Sequence, residues 1–167
     1  MDNKDVEGVH LVTNIDFIRE MHVLLGKFTK GPKNFFSVMW PVVLSTKNVN
    51  LLASKPYVMG PKPSGPRFLL YIDPSGDIFL ENNTQHIFRV DEDHAINIQS
   101  SNGEPITDTI LDGIITREKI NDAGSKYDDQ ENGPPGKLTF VIQDAIRCNG
   151  KCLINLNILQ RIASIRV

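Results

Sequence analysis

The sequence predicts an α+β fold, on three observations. An amphipathic helical pattern opens the chain, short apolar runs punctuated by turn residues fill its middle, and a second helical pattern closes it. The order is a helix, then an antiparallel sheet, then an added helix. With 167 residues, the chain reads as one domain, 1–167, large enough to bury a real core.

Each element has a local signal. Ile15, Ile18, Met21, Leu25 and Phe28 recur at helical steps, with Asn14 placed to cap the first turn. Gly31–Pro32–Lys33–Asn34 breaks the pattern. Ser45 is expected to cap a short helix over Lys47 to Ala53, with Val49 and Leu52 pointing inward. After Lys55–Pro56 the pattern turns to strands, beginning with a short extended piece over Tyr57 to Gly60. Arg67 to Ile72 is a nearly continuous apolar run, as in a strand buried on both faces.

Asp73–Pro74–Ser75–Gly76–Asp77 has turn composition, so Ile78 to Glu81 returns as a hairpin arm, and Ile87 to Val90 follows as a third strand. Thr109 to Thr116 is a further strand, and Asn121 to Gly136, rich in Gly, Asp, Asn and Pro, is an exposed loop. Leu138 to Ile146 is a strong strand pattern, and Asn149–Gly150 is a hairpin turn. Asn155 is placed to cap a last helix over Leu156 to Val167, with Leu156, Leu159, Ile162 and Ile165 on its buried side.

Composition excludes some classes. The formal net charge is −2, so there is no broad basic field for non-specific nucleic-acid binding. Asp91 to Glu131 is largely acidic, whereas Arg147, Lys151, Arg161 and Arg166 lie near the end, so a polyanion site has to be a local cleft. Met1 to Asp5 lacks the apolar core of a signal peptide, and no apolar stretch is long enough to cross a bilayer. Cys148 and Cys152 lack neighbours for a Zn²⁺ site; a disulfide between them is open but not demanded, and two reduced thiols fit a nuclear or cytoplasmic protein. His10, His22, His86 and His94 are scattered and do not read as ligands, and Trp40, in an apolar run, reads as core.

The chemistry-bearing stretch is Lys62–Pro63–Ser64–Gly65–Pro66–Arg67, set just before the apolar strand. A lysine, a glycine three on and an arginine two further resemble the nucleophile motif of covalent nucleotidyltransferases, which comprise the mRNA guanylyltransferases and the ATP-dependent DNA and RNA ligases. The lead-in favours the guanylyltransferase branch: Pro41–Val42–Val43–Leu44–Ser45 and Lys55–Pro56–Tyr57 look like the stretches before the capping-enzyme lysine. Gly8 to Val12 looks like the start of that domain. Leu111–Asp112–Gly113 stands where the family has aspartate-glycine-glutamate, and Phe140 to Ile146, with Asp144, resembles the next motif. Arg161 sits where the family has an arginine-bearing helix.

The resemblance implies a partial nucleotidyltransferase domain, ATP-grasp-like, with flanking helices and without the later motifs or the oligonucleotide-binding-fold lid. It implies Lys62 as nucleophile, with Gly65, Arg67, Asp112 and Asp144 as nucleotide-binding residues, GTP as substrate and Mg²⁺ as cofactor. GMP passes through a lysine adduct to the diphosphate 5′ end of an RNA. A free lysine has a pKa of about 10.4, so such a site has to depress it before the amine attacks phosphorus. Three positions depart from the pattern: Ser64 for an aspartate, Ile114 for the glutamate, and Gln143 for an aromatic that stacks on the base. These imply an alternative, a module that binds GTP or an RNA cap without the chemistry, or a domain that holds another capping-complex or polymerase subunit. A half-built sheet leaves an unpaired edge, which favours self-association or a second subunit.

Overall fold

The structure is a computed structural model that describes residues 8–29, 38, 42–60, 63–91, 103–116 and 139–165. Seven strands form one antiparallel sheet in the order β1-β4-β3-β2-β5-β6-β7. They are β1 (Val9–Leu11), β2 (Arg67–Ile72), β3 (Ile78–Asn82), β4 (Ile87–Val90), β5 (Thr109–Thr116), β6 (Thr139–Cys148) and β7 (Lys151–Cys152). The helices are α1 (Ile15–Thr29), α2 (Asn50–Ser54) and α3 (Ile158–Ala163). The α+β reading holds at this level.

Strand β2 is the centre of the fold. Its odd and even side chains go to opposite faces, and both faces are buried. Leu69 and Tyr71 pack with Phe79, Ile87 and Ile110 under Met21 and Leu25 of α1. Leu70 and Ile72 join Ile78, Leu80, Val90, Leu111 and Ala145 on the other face. Two cores on one strand are what a continuous apolar run produces.

The turns obey their local chemistry. Asn14 Oδ1 accepts from the N–H groups of Asp16 and Phe17, capping α1. Asp73 Oδ1 accepts from Ser75 and Asp77, closing the β2–β3 turn. Asn149 and Gly150 both take positive φ, 45° and 78°, as a two-residue hairpin requires.

Several expectations change. Tyr57 to Gly60 is exposed and not a strand. The short helix begins at Asn50 without a side-chain cap, and its apolar residues do not point inward: Val49 and Leu52 are 42% and 48% exposed. The last helix is shorter than its pattern, and its cap is Asn157, in a capping box with Gln160. Leu156, Leu159 and Ile162 face solvent, and only Ile165 of that stripe packs against the core. Periodicity marks a helix but does not say which side finds a partner. The added strand β1 pairs Val9 with Val90 and Leu11 with Phe88. Trp40, His94 and the loop over Asn121 to Gly136 lie outside the described residues.

Cys148 and Cys152 are free. Across the hairpin Cys152 pairs with Arg147, and Cys148 with Lys151. Paired positions share a face, so the two thiols project to opposite sides of the ribbon.

Candidate nucleotide site

Lys62 lies outside the described residues, but the segment that follows it is held firmly. Pro66 O accepts from Ile115 N at 3.0 Å, docking the segment on β5. Gly65, at φ +151°, packs so closely that a Cβ there would sit 2.0 Å from Ile115 O and 2.9 Å from Ile114 Cγ2. Any other residue would lift the segment from the strand. Gly113 has the same role one strand on: a Cβ would meet Val141 O at 2.4 Å and the Phe140 ring at 2.7 Å. Both motif glycines thus permit close backbone approach.

Arg67 leaves this segment and forms a two-pronged ion pair with Asp112 on β5. Its Nε donates to Oδ1 at 2.8 Å, and its Nη2 donates to Oδ2. Asp144 is the register partner of Asp112, so the two carboxylates stand side by side. Asp144 is met by α3: Arg161 Nε donates to Oδ1 at 2.7 Å and Nη2 to Oδ2 at 2.8 Å. A third N–H of Arg161 donates to Leu156 O at 2.7 Å, which ties the start of α3 to the same group.

The result is a neutral set of two carboxylates and two guanidiniums across β2, β5, β6 and α3. The Arg67 guanidinium is pushed above its ordinary value by its hydrogen bond to Asp112, against the opposing cost of burial, with the Asp144 charge adding. Arg161 is raised in the same way by Asp144.

The set depends on an irregular strand. Between Asp112 and Gly113 the β5–β6 register shifts: Asp112 faces Asp144, but Gly113 faces Ile142, leaving Gln143 as the extra residue. A second shift lies between Ile110 and Leu111. Without these bulges the alternation of β6 would not bring Asp144 beside Asp112.

At the far end of the sheet a similar pair is structural. Arg147 Nε and Nη2 donate to Asp108 Oδ1 and Oδ2 at 2.7 and 2.6 Å, and its guanidinium lies 4.3 Å from the Phe28 ring centroid. This fastens the end of α1 to the β6–β7 hairpin, and the Arg147 hydrogen bond lowers the Asp108 carboxyl pKa.

Among the described residues, no group of three or more His, Cys, Asp or Glu side chains is placed to hold a metal ion. Both oxygens of Asp112 and of Asp144 already accept from arginines. The described residues therefore do not fit a protein-built Mg²⁺ cage. No helix among the described residues is long and apolar enough to cross a membrane.

The structure brings Gly65, Arg67, Asp112 and Asp144 into one neighbourhood. The sequence reading missed that the acids and bases pair with each other. It also missed Asp108 with Arg147, and Glu81, which the strand pattern left as a hairpin arm end.

Two comparisons with known proteins place the chain in a family. The chain is 28% identical over 99 residues to an mRNA-capping enzyme of Caenorhabditis elegans, a match covering 59% of this chain and 15% of that protein. The family model described as mRNA capping enzyme, catalytic domain, matches residues 1–167. That match runs over the whole of the given sequence, and the chain belongs to the mRNA capping enzyme catalytic-domain family.

Proposed function

We propose that the chain acts as a guanylyltransferase-type domain in mRNA 5′-end capping, in the nucleus or the cytoplasm, with Lys62 as nucleophile. The neutral Lys62 amine attacks the α-phosphorus of GTP. The N–P bond forms, the α–β P–O bond breaks, pyrophosphate leaves with the electron pair, and the amine loses a proton. A terminal oxygen of the RNA 5′-diphosphate then attacks the same phosphorus, and the N–P bond breaks as the nitrogen keeps the electron pair and takes up a proton, restoring the lysine.

The observation that carries this reading is the docking of the segment just after Lys62. Gly65 and Pro66 are seated on β5 at Ile114 and Ile115, and Arg67 is bound to Asp112. In this reading Gly65, Arg67, Asp112 and Asp144 make the floor of the nucleotide site: they fix the start of the loop, and the nucleotide binds above them. A Mg²⁺ ion held chiefly by the triphosphate would supply charge neutralisation there without a protein-built cage.

A second reading has its own observation. Ile114, in place of the family's glutamate, is buried against Gly65 and offers neither charge nor hydrogen bond. Losing one preorganised electrostatic contact typically costs about 100- to 1000-fold in rate. The same floor then serves a module that binds GTP or a cap without transfer.

Incubation with α-labelled GTP and Mg²⁺, denaturation and electrophoresis separates the two. Label that stays with the protein, is lost in Lys62→Ala and is chased onto diphosphate-ended RNA supports transfer. GTP affinity without retained label supports the binding module. Neither would overturn both readings and leave a role as an interaction domain for another subunit.

A further inference from the structure

One row across the sheet runs Ile87, Glu81, Leu69, Asp112, Asp144, each residue paired in register with the next. Asp112 and Asp144 each have an arginine. Glu81 has none, although it is the most deeply enclosed of the three carboxyls, at 3% exposure. It projects toward α1 on the side of Phe79, with apolar Leu69 and Ile87 as its strand neighbours and Met21 and Leu25 packed over the same cluster. Its Oε2 is fully buried and has no hydrogen-bond partner among the described residues.

The group on α1 that reaches it is His22. Its Nε2 lies 3.5 Å from Glu81 Oε1 and 3.1 Å from Gln85 O. A carbonyl only accepts, so Nε2 carries a hydrogen and donates to Gln85 O. The remaining charged residues of α1, Asp16, Arg19, Glu20 and Lys27, are exposed. From β4, Arg89 is exposed and turned to Asp77, and from the β3–β4 turn His86 bonds Thr84. Beyond Leu69, Asp112 is taken up by Arg67.

We propose that Glu81 and His22 form a proton-operated latch that fastens α1 to the sheet. While Glu81 carries its proton it is a neutral acid beside the His22 ring, and α1 sits closed over it. When Glu81 is deprotonated, a bare carboxylate with an unpartnered oxygen is left under the helix, and α1 has to move to admit water. His22 is about one-quarter exposed, which gives the proton a route to solvent. The arrangement is independent of whether the domain transfers GMP.

The direction of the pH effect follows from burial, which raises the Glu81 carboxyl from 4.5 to about 7. A raised folded-state value means that the stabilisation is fully present below about pH 4.5 and is lost as pH rises through about 7. Acid loss of the Asp108 pair acts in the opposite sense, below the ordinary Asp range.

Native-state hydrogen exchange of the whole chain between pH 5 and 8, corrected for the intrinsic rate, tests the latch. Protection of α1 should fall on the order of tenfold or more across that range relative to β2 and β5, and Glu81→Gln should flatten the change. Should Glu81→Gln not fold, Glu81→Leu serves with the same expectation. His22→Gln should move the midpoint upward, because the carboxylate loses the imidazole N–H that lies 3.5 Å from its Oε1. An unchanged pH dependence in the Glu81 variants, an unmoved midpoint in His22→Gln, or an equal loss of protection in β2 and β5 would overturn the proposal.

Discussion

The two ends of the central row treat a buried carboxyl in opposite ways. At the β5–β6 end, Asp112 and Asp144 each receive a two-pronged arginine within a formally neutral set. At the β3 end, Glu81 receives a histidine at 3.5 Å and leaves one oxygen with no partner among the described residues. The difference teaches that burial alone does not decide what an acid does. A geometrically matched cation turns a carboxylate into a fastening, whereas a distant, titratable neighbour turns it into a group whose charge depends on pH.

Removing Asp112 should give the largest effect. Asp112→Ala removes both carboxylate oxygens that the mostly buried Arg67 guanidinium bonds, and should cost about 3–5 kcal/mol in equilibrium unfolding. If the loss is under about 1 kcal/mol, the pair is not a fastening and the contrast fails. Next, Glu81→Leu should change stability in the opposite direction. At pH 8 it should gain up to about 3 kcal/mol over the parent, because the parent then buries a charge, with the gain shrinking toward pH 5. Urea midpoints at the two pH values check the sign.

Gly65→Ala should cost about 1–3 kcal/mol through the strained φ and the contact with Ile115 O. It should also weaken GTP affinity, since the segment after Lys62 leaves β5; equilibrium binding reads this directly. Smallest is Arg161→Ala, expected at about 1–2 kcal/mol by thermal unfolding. Asp144 is 22% exposed on its side chain, so water replaces part of what the arginine gave. A cost matching that of Asp112→Ala would show the two pairs to be equally enclosed.

Much of this was legible in the sequence, and the reasons are local. Arg67 to Ile72, Ile87 to Val90 and Thr109 to Thr116 were readable because apolar runs end at turn residues whose backbone chemistry is short-range. Asn14 and Asn149–Gly150 were readable for the same reason. The outward sides of α2 and α3 were not, since a helical stripe does not name its partner. The ion pairs were hidden for a different reason. Arg67 and Asp112 are far apart in the chain, and Asp144 reaches the site only through the register shifts of β6, which no composition signal announces. Glu81 read as the polar end of a hairpin arm because the packing of α1 over β3 is a long-range fact.

The claim that organises the site is that the arginine–aspartate floor aims the loop before it so that Lys62 meets the α-phosphate. Intact-protein mass spectrometry after incubation with GTP, followed by peptide mapping, tests it most directly. A GMP adduct confined to the peptide bearing Lys62, and absent in Lys62→Ala, is the predicted result. An adduct on another residue, or saturable GTP binding with no adduct under any condition, would contradict it.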